Sequence, residues 1–162
     1  ERDDAATRGE HSVVDILRQY RGIGDEIART FAWHIGDFRR FKNGGKFASY
    51  LGLTPTPYSS GQMNREQGIS KAGNPELRRL LVQLAWLWCQ WQPESYLAKK
   101  WAGKLRQKGR HLKTAIVALA RQLAVAMYRR IVHGEEIEGA LKNAPLPPPP
   151  EFKVSPATRI GP

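Results

Sequence analysis

The sequence has one cysteine, Cys89, in a chain of 162 residues. An internal disulfide is therefore excluded, and a reducing cytosol is the compartment this usage suits. Cys89 has no ligand-type neighbours, and His11, His34, His111 and His133 are scattered, so no zinc spacing is present. Acid is scarce where the chain is richest in base. From Asp37 to Gly134 there are 18 Lys and Arg against four acids (Asp37, Glu66, Glu76 and Glu94), a local excess of 14 positive charges. No run approaches the ~18 apolar residues of a membrane span. The first twelve residues are charged and polar, which is not the pattern of a signal peptide. Convincing strand alternation and internal repeats are both missing, which leaves an all-α class. The chain opens on Glu1 rather than Met, as expected after processing or for a piece of a longer protein.

What is present argues for one folded domain. Hydrophobic residues make up 41% of the chain and five are Trp, so a core can form and a disordered chain is excluded. The net charge is +11 and the pI about 10.2. A bias this large points to a polyanion, with nucleic acid favoured over an anionic membrane surface.

Residues 1–12 read as a frayed segment, 13–142 as the folded domain and 143–162 as a disordered Pro-rich tail with five prolines between Pro145 and Pro150. Val13, Ile16, Leu17 and Tyr20 hold helical spacing behind an N-cap at Ser12. A Gly22-Ile-Gly24 turn follows, and then a second helix that ends near Gly36. Residues 13–36 resemble the helix-hairpin-helix motif of DNA-binding proteins. Gly22 and Gly24 would let a phosphate come close, at the positive end of the second helix. Asp25 and Glu26 oppose that, and a plain helical hairpin is the alternative.

Phe38, Phe41 and Phe47 are expected to anchor a basic loop and a short helix over about 46–51. A long Gly/Ser/Pro loop from Tyr50 to Asn74 comes next, and a loop of that length is more often functional than filler. Asn74 caps a helix with Pro75 at its first position. Its core stripe is Leu77, Leu80, Leu81, Leu84, Leu87 or Trp88, and Trp91, and at least one Trp is left exposed. Pro93 breaks it. A basic helix over 95–107 turns Tyr96, Leu97, Trp101 and Leu105 inward. The longest helix, about 111–133, carries Leu112, Ile116, Leu119, Leu123, Met127 and Ile131 on its core face and stops at Gly134.

Seven segments in order carry a more specific resemblance: Gly22-Ile-Gly24, Ile35-Gly-Asp37, Arg40-Phe41, Ala48 to Pro55, Tyr58-Ser-Ser-Gly61, Gly68 to Asn74, and Leu77 to Leu80. Together the set resembles the C-terminal transposase domain of the IS-one-ten/IS-one-sixteen insertion-sequence family, the bridge-RNA-guided serine recombinases. The resemblance implies a serine nucleophile in a Tyr-x-Ser-Gly motif, which places it at Ser60. That serine attacks a DNA phosphodiester and forms a transient phosphoserine link.

The resemblance also implies partners: target DNA, a structured guide RNA, and a RuvC-like domain that holds Mg2+ on four acidic residues. That domain is not present in this chain, so no metal or cofactor is expected here. A composite site implies a homo-oligomer on DNA, in the cytosol of a bacterium or archaeon, and no membrane partner. Read from the residues alone, a serine hydroxyl is a weak nucleophile and needs a base, a metal or both. Arg65, Lys71, Arg78 and Arg79 could neutralise the charge that develops on phosphorus. Tyr58 could stack on a base or anchor the loop, and Asn74 could touch DNA or only cap its helix. Three readings stand side by side: the serine-bearing half of a transposase, a truncated remnant that only binds nucleic acid, and a helix-hairpin-helix module of a repair protein.

Overall fold

A computed structural model describes residues 13–53, 55–60, 63–69, 73–106 and 109–143. The expected frayed start and all of the expected tail except Asn143 lie outside them. Helix α1 covers 13–18. Then come α2 (Asp25–Ile35), a 3-10 turn (Phe38–Arg40), α3 (Gly44–Tyr50), strands β1 (Pro55–Ser60) and β2 (Met63–Ile69), α4 (Pro75–Trp91), α5 (Tyr96–Leu105) and α6 (Arg110–His133).

The fold is helical, and α6 is its axis. It packs on α3, α4 and α5. Ile116, Leu119, Leu123 and Met127 are buried along it, and Ala115, Ala120 and Ala124 let its neighbours approach closely. Helix α4 answers with Leu77, Leu81, Leu84, Ala85 and Trp88. Each large side chain sealed in this way contributes about 1.5–3 kcal/mol. Trp88 keeps its indole N–H satisfied by donating to Ser95 Oγ at 2.9 Å. Trp86 is exposed, as the sequence suggests for at least one Trp, but Trp91, expected on the core stripe, is 48% exposed as well, because it is the last residue of α4 and runs past the core that Trp88 closes.

Phe38, Phe41 and Phe47 form the expected aromatic anchor. Phe47 lies 5.2 Å from each of the other two rings and 5.9 Å from Tyr128 of α6. Tyr128 donates to the Phe41 carbonyl at 2.7 Å, which ties the 3-10 turn to the axis. Asn43 caps α3 by accepting from the Lys46 amide at 2.9 Å, so this helix starts two residues before the expected Lys46.

Two further expectations need correction. The segment expected to be a loop forms a two-stranded antiparallel ribbon, β1 against β2. Alternation was hidden because β1 carries prolines at 55 and 57. Prolines two apart both fall on one edge of a strand, the outer edge here, where no N–H is needed. Thr54, Gly61, Gln62 and residues 70–72 lie outside the described residues. Tyr96, expected inward, is 53% exposed. It is the first residue of α5, and at about 100° per residue it points away from the core-facing side that Leu97 and Ala98 occupy.

The segment after α6 is a strap that the sequence did not announce. It returns to the α1–α2 turn, where Lys142 pairs with Tyr20. Gln92, fully buried, holds both sides. Its Nε2 donates to the carbonyls of Arg21 and Leu141, each at 2.8 Å, and its Oε1 accepts from the Leu141 amide at 2.7 Å. Asn143 adds a bond from its amide to the Gln19 carbonyl at 2.7 Å.

Candidate functional site

The ribbon is built by register. Pro57 pairs with Glu66, Tyr58 with Arg65, Ser59 with Asn64 and Ser60 with Met63. Positions alternate between the faces of a strand, so 58, 60, 63 and 65 fall on one face of the ribbon. Ser60 is the last residue of β1. At about 3.3 Å per residue it lies roughly 17 Å along the strand from Pro55. The ribbon's extensive contacts are internal, between its own strands.

Its root is held firmly. Gly73 has φ +105, and a Cβ there would sit 1.8 Å from the Tyr50 carbonyl oxygen. On the other leg Leu53 is buried, and its amide donates to the Ala48 carbonyl at 3.1 Å. Asn74 follows as the cap of α4: its Oδ1 accepts from the Glu76 amide at 2.9 Å. That fixes the amide orientation, so Nδ2 donates to His34 Nδ1 at 3.2 Å. The remaining His34 nitrogen, Nε2, then carries the proton and donates to Glu76 Oε2 at 3.0 Å. The cap is thereby wired to the end of α2.

The structure thus groups the sequence-derived site residues in two places. Ser60, Tyr58 and Arg65 belong to the outer part of the ribbon. Asn74, Arg78 and Arg79 belong to its root. Arg79 is exposed, while Arg78 is half-buried with Nη1 sealed from solvent and lacking an acceptor among the described residues. Lys71 lies outside the described residues.

The Gly22–Gly24 turn lies at the opposite end of α2. Gly22 has φ +98, and a Cβ there would come within 3.1 Å of Trp91 Cβ, so the fold itself requires a glycine. At Gly24 a Cβ would meet nothing within 4 Å and φ is −78°, so the fold makes no such demand. Asp25, the acid that opposes phosphate here, is bracketed by Arg29 at 2.6 Å and Arg18 at 3.2 Å. The Arg29 hydrogen bond, with the charges of Arg29 and Arg18, holds its carboxyl below the usual range.

Among the described residues no three His, Cys, Asp or Glu side chains gather in a way that could hold a metal. The described residues therefore do not fit a metal cage. Among the described residues no helix is long and apolar enough to cross a membrane.

The sequence model of the Transposase IS116/IS110/IS902 family matches residues 14–100, just over half of the chain and the whole stretch from α1 through the ribbon to α4. The chain belongs to this transposase family. Relatives agree. A Sinorhizobium fredii protein named as a putative transposase, y4rJ, is 44% identical over 132 residues, covering 80% of this chain and 33% of the relative. The transposase of insertion sequence element IS1328 from Yersinia enterocolitica is 36% identical over 105 residues, 64% of this chain and 31% of its own length. The pilin gene-inverting protein of Moraxella bovis is 29% identical over 116 residues, 71% of this chain and 35% of its own. The chain thus spans about a third of the length of the curated relatives it matches.

Proposed function

We propose that this chain is the serine-bearing part of an insertion-sequence transposase, and that Ser60 is the nucleophile of DNA strand cleavage and rejoining. In the forward step Ser60 Oγ bonds to the scissile phosphorus and loses its proton to a base. The phosphorus–oxygen bond to one DNA strand breaks, and that strand leaves as a hydroxyl. The phosphoserine diester keeps the energy of the broken bond, so attack by the hydroxyl of another strand reverses the step and frees Ser60.

One observation carries this reading: the register puts Ser60 at the end of a ribbon with a clamped root, on the face that also holds Tyr58 and Arg65. The end of such a ribbon is a place where DNA and a second domain can meet. Arg65 then neutralises charge on phosphorus. Asn74, Arg78 and Arg79, at the root of the ribbon, act on the flanking DNA, and Lys71 and the Gly22–Gly24 turn add further contacts to it. A RuvC-like domain, in cis or on another chain, supplies Mg2+ and the proton acceptor. A structured guide RNA selects the target, and a homo-oligomer assembles the two sites of an exchange.

The test joins this chain to a RuvC-like domain, with Mg2+, guide RNA and element-end DNA, and follows strand cleavage. Ser60→Ala should abolish cleavage while DNA affinity stays within about twofold, and Ser59→Ala should retain it. Equal cleavage by wild type and Ser60→Ala would refute the assignment.

A further inference from the structure

A cavity of about 370 Å3 lies between α5, the outer face of α6 and the strap, away from the ribbon. Arg121, Gln122 and Arg129 of α6 form one wall, Tyr96 of α5 a second, and Glu135 and Glu138 a rim. Its charges are unspent. Arg121 Nε is sealed from solvent with no acceptor among the described residues. Arg129 likewise has no carboxylate partner among them. Glu136, beside the rim, is already occupied by Lys142 at 2.8 Å and by the Tyr20 hydroxyl at 3.1 Å. Neither Glu135 nor Glu138 is taken in this way among the described residues.

Two cations that do not pair with acids among the described residues, and an exposed Tyr96 that lines the same cavity, suit a ligand that is anionic at one end and rich in N–H groups at the other. Gln122 is held in place as the acceptor of the Trp101 indole N–H at 3.1 Å, which stiffens the α6 wall. Lys100 Nζ lies 6.0 Å from the Tyr96 ring centroid, and Tyr96 is exposed enough to offer a surface for stacking.

We propose that this cavity binds one unpaired nucleotide of a bound nucleic acid. The phosphate sits on Arg121 and Arg129, the base stacks on Tyr96, and its amino edge faces Glu135 and Glu138. Guanine presents two adjacent N–H donors to a carboxylate. Thymine presents one N–H between two carbonyls, which a carboxylate repels. The site therefore prefers guanine. The proposal rests on the nucleic-acid reading above but not on the role of Ser60.

The experiment measures binding of the chain, at fixed salt, to three DNA hairpins: fully paired, with one bulged guanine, and with one bulged thymine. The bulged guanine should bind roughly tenfold tighter than the paired hairpin, the scale of one stacked base, and the bulged thymine should show little gain. Tyr96→Ala and Arg129→Gln should each erase the guanine advantage, and Tyr96→Ala should leave binding of the paired hairpin unchanged. Equal affinity for the three hairpins, or an advantage that survives both substitutions, overturns the site. Either result leaves strand cleavage by Ser60 to be judged separately.

Discussion

Gly73 rests against Tyr50: a Cβ at position 73 would lie 1.8 Å from the Tyr50 carbonyl oxygen. The contact joins the end of α3, from which the ribbon departs, to the point where the ribbon returns. Gly73→Ala must both accept φ +105 and push the two legs apart. The expected cost is at least about 2 kcal/mol, read from chemical denaturation, with loss of strand cleavage. Gly134→Ala is the control. It has a similar positive φ but nothing within 4 Å of the added Cβ, and it should cost only about 1 kcal/mol. Equal costs for the two would mean that the contact does not hold the root.

The glycines of the α1–α2 turn separate fold from function. Gly22→Ala meets Trp91 and a positive φ, so it should lower stability by about 1–2 kcal/mol. Gly24→Ser meets nothing and adds a better N-cap, so stability should hold or rise slightly. If the turn approaches a DNA phosphate, Gly24→Ser should still weaken DNA binding several-fold. Unchanged affinity in a salt titration would reduce this part of the chain to a plain helical hairpin.

The strap should respond to acid. The Glu136 carboxyl is held below its ordinary value, first by the hydrogen bond from Lys142, with Tyr20 and Arg130 adding to it. A depressed carboxylate contributes stability above its unfolded pKa of about 4.3, and that contribution fades as pH falls through the folded value. Glu136→Gln should therefore lower stability slightly near neutrality and flatten part of the stability loss below about pH 4.3. The effect is small because the side chain is more than half exposed and screened. Tyr20 acts in the opposite sense: burial and its bond to Glu136 raise its pKa. Its contribution holds below pH 10 and is lost as the pH climbs past that value. A pH titration of unfolding, with Glu136→Gln and Tyr20→Phe, checks both signs.

The helices were legible because their signals are local. Asn74 and Pro75 announce α4, Gly134 ends α6, and the middles of both apolar stripes are buried, although Trp91 at the end of the α4 stripe is exposed and Leu112 and Ile131 at the ends of the α6 stripe are only partly covered. The ribbon was not, because Pro55 and Pro57 read as loop residues until a partner strand shows their missing N–H groups to be harmless. Gln92 gave no signal at all. A polar residue after a helix looks like surface, and only the return of residues 140–143 from far along the chain buries it. The Tyr-Ser-Ser-Gly motif that holds Ser60 was visible in the sequence, but its place at the end of β1 was not. Nor was its distance from Arg78 and Arg79, because that depends on the strand pairing. The cavity at Tyr96 was hidden for the same reason as the strap, since its rim comes from residues that carry no helical pattern.

The most direct measurement is peptide mapping of the covalent protein–DNA intermediate. The chain, its RuvC-like partner, Mg2+, guide RNA and a nicked suicide substrate are combined, the DNA is trimmed with nuclease, and the modified peptide is sequenced by mass spectrometry. The account predicts a nucleotide phosphate on Ser60 and none on Ser59 or Tyr58. A nucleotide found on Tyr58, or on any residue of the partner in its place, would contradict it.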